Sequence, residues 1–215
     1  MWPGVTILVV VGFVLYFGAL ERVLDRLYLT DKTAIVIIAA IILGSFLEIT
    51  LREEPLISVN IGGAIVPLAL VIYILSRVNS GAEVFHTLAA TVFTAITIYT
   101  VSVVFSDFGH GGTDIIDPMY IFAITGGAFG YIFGRSRRGS FVAGTLGFIL
   151  YDSINLYRVL TGSLFTDLRF GGAGAFDSIV IAGVFAVVLA ELVGESRERI
   201  TGGPDAEKGE SGEHE

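Results

Sequence analysis

The chain has 215 residues, 53% of them hydrophobic and only 16% charged, with a net charge of -8 and no cysteine. A mean hydropathy of +0.79 exceeds what a water-soluble domain of this size carries and points to an integral membrane protein. The lack of cysteine excludes disulfides, thiol catalysis and thiolate metal sites, and nothing basic enough for nucleic acid is present.

A helix needs about 20 mostly apolar residues to cross a bilayer, fewer if its flanking groups snorkel. Seven stretches meet that condition, at about 4–20, 33–50, 61–76, 83–105, 118–134, 140–159 and 174–194. The expected fold class is therefore all-α, a polytopic transmembrane bundle of about seven helices over residues 1–194. The first run has no basic region before it, so it reads as a membrane helix rather than a signal peptide. Trp2 and Tyr28 suit the headgroup region. Residues 195–215 are rich in Gly and Glu and nearly free of apolar side chains, which predicts a disordered acidic tail. Only two lysines occur, Lys32 and Lys208, a composition compatible with a salt-adapted source.

Lys and Arg collect in alternate loops. Arg22, Arg26 and Lys32 lie in the first, Arg77 in the third, Arg135, Arg137 and Arg138 in the fifth, and Arg197 and Arg199 begin the tail. The other loops hold only Arg52, beside Glu53 and Glu54, and Arg169. The positive-inside rule then predicts a multi-pass protein of the cell membrane with its N-terminus outside and its C-terminus in the cytoplasm. Its first partner is the lipid bilayer.

In chain order, Leu20, Val23, Leu24 and Leu27 repeat at helical spacing opposite Glu21, Arg22 and Asp25, as on an interfacial helix end. Glu48 closes the second helix near the outer surface, where it can snorkel or pair with Arg52 four residues on. Asn60-Ile-Gly-Gly-Ala and then Pro67 open the third, and Gly pairs and Pro loosen a helix at membrane depth, as a kink or as the break of a binding site. Thr87, Thr91, Thr94 and Thr97 share roughly one face of the fourth, either as helix glue or as a polar pathway, with His86 near its cytoplasmic end. The loop with Asp107, His110, Asp114 and Asp117 has no known metal spacing and reads as a solvated turn; no metal site and no cofactor is expected. Gly126, Gly130 and Gly134, then Gly139, Ala143 and Gly147, predict close packing of helices five and six. A faint parallel repeat links Ile-Gly-Gly-Ala at 61–64 with Phe-Gly-Gly-Ala at 170–173.

The candidate site is the stretch 150–191, with one carboxylate in each of two consecutive helices. Asp152 lies about six residues before the end of helix six, and Asp177 about six residues into the Gly-rich entry of helix seven. At 1.5 Å per residue both sit roughly 9 Å below the outer surface. Ionisable groups at that depth mark functional sites. Two carboxylates in contact share one proton, the state that aspartyl hydrolysis uses, and a wet cavity opened by Gly171, Gly172 and Gly174 would admit substrate beside Asn155 and Glu48. Alternatively, Glu48, Asp152 and Asp177 are the carboxylates of a transporter or ion pathway, or both aspartates are structural: they pair with Arg158 or Arg169, or Asp177 caps helix seven.

The blocks SVNIGGAIVPLAL, GTLGFILYDSINL and GGAGAFDSIVIAGVFAVVLAE resemble the uncharacterised prokaryotic membrane family called domain of unknown function 1614. Locally, Tyr151-Asp152 followed by a glycine-rich Asp and IVIAGVFAVVL is similar to the paired motifs of signal-peptide-peptidase and presenilin-type intramembrane aspartyl proteases. That resemblance implies an enzyme, with Asp152 and Asp177 as the catalytic pair, Tyr151 beside it and a transmembrane peptide as substrate. The spacing here is Gly-x-Gly-x-x-Asp rather than Gly-x-Gly-Asp.

Overall fold

The structure is a computed structural model, and it describes residues 17–18, 20–24, 27, 29–108 and 118–201. The expected first helix before residue 17, Trp2, Tyr28, the loop residues His110, Asp114 and Asp117, and the tail from 202 on lie outside the described residues. Among the described residues seven α-helices follow the predicted order. They are α1 (described at 17–18 and 20–24), α2 (Asp31–Gly44), α3 (Val66–Ser76), α4 (Gly81–Phe108), α5 (Pro118–Gly134), α6 (Arg137–Leu160) and α7 (Ser178–Thr201). The chain is thus mostly helical. Helix α7 runs to Thr201, past the expected boundary at 194.

Among the described residues one helical stretch, Gly81–Val104, is long and apolar enough to cross a membrane. Lys32–Gly44, Ile61–Ser76, Tyr120–Gly134 and Ser178–Gly194 are shorter apolar helical stretches.

The amphipathic reading of α1 holds: Leu20, Val23, Leu24 and Leu27 are buried, whereas Glu21 and Arg22 are exposed. Thr30 caps α2 reciprocally with Thr33, which satisfies backbone donors that the first turn leaves free. This helix ends at Gly44, six residues before the predicted end at 50. Beyond it Glu48–Arg52 forms strand β1, antiparallel to β2 (Ile57–Asn60), and β2 pairs in parallel with β3 (Leu168–Phe170). The all-α expectation is corrected by this three-stranded sheet. The cause is tertiary: Ile49, Thr50 and Val59 favour strands, but a ladder needs residues from both loops.

Asn60 ends β2 and caps the next element, its side chain accepting from Gly63 N at 2.9 Å. Residues Ile61–Ile65 form one wide π turn before α3. Pro67 explains the widening, because it has no N–H to give to the carbonyl four residues earlier.

Helices α4 to α7 pack against one another as a four-helix unit, and α3 lies against α6. Small residues set their closeness. A Cβ on Gly130 would lie 2.8 Å from Gly144 N, and one on Gly134 would lie 2.4 Å from Ser140 N, so α5 meets α6 on the predicted face. Gly147 instead receives Thr94 of α4. The threonine face of α4 turns inward at Thr87, Thr91 and Thr94, and Thr97 bonds back to the Phe93 carbonyl. Ser140 and Thr145 of α6 are also fully buried.

The outer surface is the reverse. Val36 and Leu43 of α2, Ile72 of α3, Phe85 and Phe93 of α4, Ile132 of α5 and Leu192 of α7 are all exposed.

The sheet brings the two Gly-Gly motifs together. A Cβ on Gly63 would stand 2.2 Å from the Gly171 carbonyl oxygen, so only two glycines allow this contact. Replacing Gly63 by Ala is expected to cost about 3 kcal/mol through overpacking. Gly81→Ala, where nothing lies within 4 Å, is the control and should change stability by less than about 1 kcal/mol. Thermal unfolding of the two purified variants checks the difference; equal midpoints would show that the Gly63 contact is not rigid.

Candidate functional site

The glycine-rich segment 171–177 breaks the chain before α7 because two of its residues take left-handed backbone. Gly171 has φ +68° and Gly174 has φ +61°. A single 3-10 turn, Gly174–Phe176, leads into Asp177 in extended conformation, and α7 starts at Ser178. Helix seven therefore begins four residues later than the predicted 174. Asp177 is thus not inside the helix, as a start at 174 would put it, but at its head.

That position defines the first job of Asp177. Its Oδ1 accepts from Ile179 N at 3.0 Å and its Oδ2 from Ala173 N at 3.2 Å. The backbone carbonyl of Asp177 accepts from Ile181 N at 2.9 Å, which closes the first helical turn. Asp177 is the N-cap of α7, the structural alternative foreseen in the sequence, and it is buried.

Asp152 approaches from α6, where it is partly covered. The charge of Asp177 acts on Asp152, so the two carboxylates lie within electrostatic reach of each other. No hydrogen bond joins them, and Asp152 has no hydrogen-bond partner among the described residues. The alternative pairing with Arg158 or Arg169 is not found among the described residues. Arg158 Nη1 donates to Asn155 Oδ1 at 3.4 Å, and its guanidinium lies 5.8 Å from the centre of the Tyr99 ring.

The other predicted site residues are distributed as follows. Tyr151 packs edge-on against Phe148, with ring centres 5.9 Å apart. Asn155 is buried on α6, one turn beyond Asp152. Glu48 is not a helical acid but the first residue of β1, where it accepts from the Ser58 hydroxyl, so the helical i+4 pairing with Arg52 does not arise. Gly171 presses on Gly63, Gly172 on the Arg169 side chain and Gly174 on Ser45. The side of each glycine that a Cβ would occupy is filled by protein; these glycines permit close packing rather than open a cavity.

A polar hub holds this arrangement and was not recognised in the sequence. Ser45 Oγ donates to the Ile41 carbonyl at 2.6 Å and accepts from Ala175 N at 2.9 Å. Asn60 Nδ2 donates to the Ser45 carbonyl at 2.9 Å. Two side chains thus tie the end of α2 to both broken helix entries. The only signal for Asn60 was an Asn directly before Ile-Gly-Gly, an N-cap pattern; Ser45 carried none.

The model of one protein family, described as Protein of unknown function (DUF1614), matches residues 15–189. The chain belongs to this family. A search of curated proteins and a search of solved structures each found no match. The DUF1614 match spans both Gly-Gly motifs, the hub residues Ser45 and Asn60, and both aspartates, and it brings no assigned activity.

Capping and function can be separated by substitution. Asp177→Ala removes both acceptors and is expected to cost about 1–2 kcal/mol, whereas Asp177→Asn keeps one acceptor and most of that stability. Asp152→Asn breaks no hydrogen bond among the described residues and should leave the unfolding midpoint unchanged or raise it. A large loss of thermal stability in Asp152→Asn would contradict this division.

Proposed function

We propose that this DUF1614 protein is a multi-pass membrane protein whose Asp152/Asp177 pair binds and releases a proton or small cation inside the helix bundle. Its N-terminus is then outside and its C-terminus cytoplasmic. The distribution of side chains supports the membrane reading. Large apolar residues face outward on α2, α3, α4, α5 and α7, whereas hydroxyls on α4 and α6 face inward. Lipid tails tolerate such a surface and water does not, and an exposed apolar area of this kind marks a membrane or partner surface. The sheet agrees with the pass count. Strands β2 and β3 come from loops separated by four helices, α3 to α6, and they are direct neighbours at one end of the molecule. Each pair of crossings returns the chain to the same side. Lys and Arg are richer in the opposite set of loops.

One observation carries the ion reading. Asp152 is a partly covered carboxylate within electrostatic reach of a second carboxylate, and among the described residues it has neither a hydrogen-bond donor nor a cationic partner. Burying a charge away from water is costly unless something neutralises it. A proton or cation taken up between Asp152 and Asp177 does so, and it leaves when the access side changes. The broken entries to α3 and α7 meet at Gly63 and Gly171, and paired interrupted helices near a carboxylate are a common ground plan of ion-coupled transporters.

The second reading is the intramembrane aspartyl protease. It is favoured by two carboxylates on consecutive helices within reach of each other's charge, with Tyr151 adjacent to Asp152. It requires both acids on one water. Each Asp177 oxygen already accepts one backbone N–H and keeps a further lone pair, so Asp177 retains acceptor capacity for this role.

Proteoliposomes separate the two. Wild-type protein in vesicles with an imposed pH or sodium gradient is expected to dissipate it, read with an internal pH- or sodium-sensitive dye, and Asp152→Asn should fall to the rate of protein-free vesicles. Undiminished flux in Asp152→Asn would refute the ion reading. Cleavage of a transmembrane reporter that disappears in both Asp152→Asn and Asp177→Asn would establish the protease instead, and cleavage retained by Asp177→Asn would sink it.

A further inference from the structure

At the sheet end of the molecule an open cleft of about 550 Å³ lies between the turn after β1 and the loop that follows α6. Its walls are apolar, from Pro55, Val159, Leu160, Leu164 and Phe165, and it holds two charges, Arg52 and Asp167. Asp167 Oδ1 accepts from Leu56 N at 3.1 Å, which fixes the carboxylate at the cleft wall and leaves its other oxygen free. Among the described residues neither Arg52 nor Asp167 forms an ion pair, with each other or with a third group. A cation and an anion held apart in one apolar-walled cleft complement a ligand that carries both signs.

The surface below the cleft adds a second requirement. Phe165 at the rim is 92% exposed, and along α6 Leu160 is 56% and Tyr157 69% exposed. Leu160, Tyr157 and Ser153 fall at spacings of three and four, so they form one exposed stripe running from the cleft down the helix. On the membrane reading, which this inference rests on, the cleft stands at the outer headgroup level and the stripe enters the hydrocarbon. A ligand with a dipolar head and an apolar tail fits both parts.

We propose that this cleft is a binding site for the head group of a zwitterionic phospholipid. Arg52 takes the phosphate and Asp167 the ammonium, and an acyl chain follows Leu160 and Tyr157. Phosphate on Arg and ammonium on carboxylate are charge-assisted hydrogen bonds, stronger than those between neutral groups.

Native mass spectrometry of the detergent-purified full chain tests this. The probes are phosphatidylethanolamine, phosphatidylglycerol and soluble phosphoethanolamine. Wild-type protein is expected to retain phosphatidylethanolamine about fivefold better than phosphatidylglycerol. The double variant Arg52→Gln/Asp167→Asn should lose that preference with an unchanged unfolding midpoint, since an Asn at 167 still accepts from Leu56 N. Asp167→Asn alone should lose most of the preference, whereas Arg52→Gln alone, on an exposed edge strand, should weaken retention of both lipids, since both carry the phosphate. Equal retention of the two lipids by wild type, an unchanged preference in the double variant or in Asp167→Asn, undiminished retention of both lipids by Arg52→Gln, or soluble phosphoethanolamine bound as tightly as the lipid would overturn the proposal. Alkaline carbonate extraction of membranes expressing the protein tests the membrane reading separately. Protein left in the pellet but without lipid preference overturns only the lipid site, whereas protein released to the supernatant overturns both.

Discussion

Backbone contact between Gly63 and Gly171 is the constraint on which the rest depends. Two chain segments approach so closely that neither can carry a side chain. The approach is enforced from both sides by the β2–β3 ladder, which delivers Val59 and Phe170 to the same level, and by Ser45, which bonds into the turn before α7. The entry of α3 and the entry of α7 thereby become one rigid unit. Asp177 is placed by that unit, because its two backbone partners, Ala173 and Ile179, lie on either side of the break. Asp152 is placed differently, by the packing of α6 against α7 through Gly144 and Ala182.

The two aspartates are consequently unequal, though the sequence presents them as a matched pair. Asp177 has a structural task that would keep it in place without any activity. Asp152 has none among the described residues, and a partly covered carboxylate near a second one lowers stability unless something neutralises it. Where a group costs stability and supports no packing, its use lies in what it binds. That asymmetry carries the functional reading here more than the resemblance of Tyr151-Asp152 to a protease motif does.

The same logic of inside and outside runs through the bundle. Thr87, Thr91 and Thr94 occupy the interior while Phe85 and Phe93 of the same helix face outward. In water this pattern would be destabilising at both surfaces. In lipid, apolar side chains gain little by leaving the surface, and small polar residues inside let helices approach. Among the described residues the hydroxyls of Thr94, Ser140 and Thr145 have no hydrogen-bond partner, which is a cost, and the close contacts of Gly130, Gly144 and Gly147 around them are what that cost is set against.

The helices were legible because each is a local object. A run of apolar residues between charged or glycine-rich loops predicts a helix, and positions such as Leu20, Val23, Leu24 and Leu27 reveal the buried face through period alone. Membership of the family was legible too, from the blocks around Asn60, Asp152 and Asp177. The sheet was not, because Glu48–Arg52 becomes a strand only when Ile57–Asn60 and, through it, Leu168–Phe170 lie alongside, and the last of these is more than a hundred residues away. Nor could spacing place Asp177. Counting residues from a helix start presumes that the start is known, and the left-handed Gly171 and Gly174 move it from 174 to 178. The amino-acid sequence by itself therefore determined the helices, their order and the chemical kind of the candidate groups, since these follow from local composition and period. The tertiary structure decided which carboxylate is a cap and which is uncommitted, because hydrogen-bond donors are assigned only when distant segments meet.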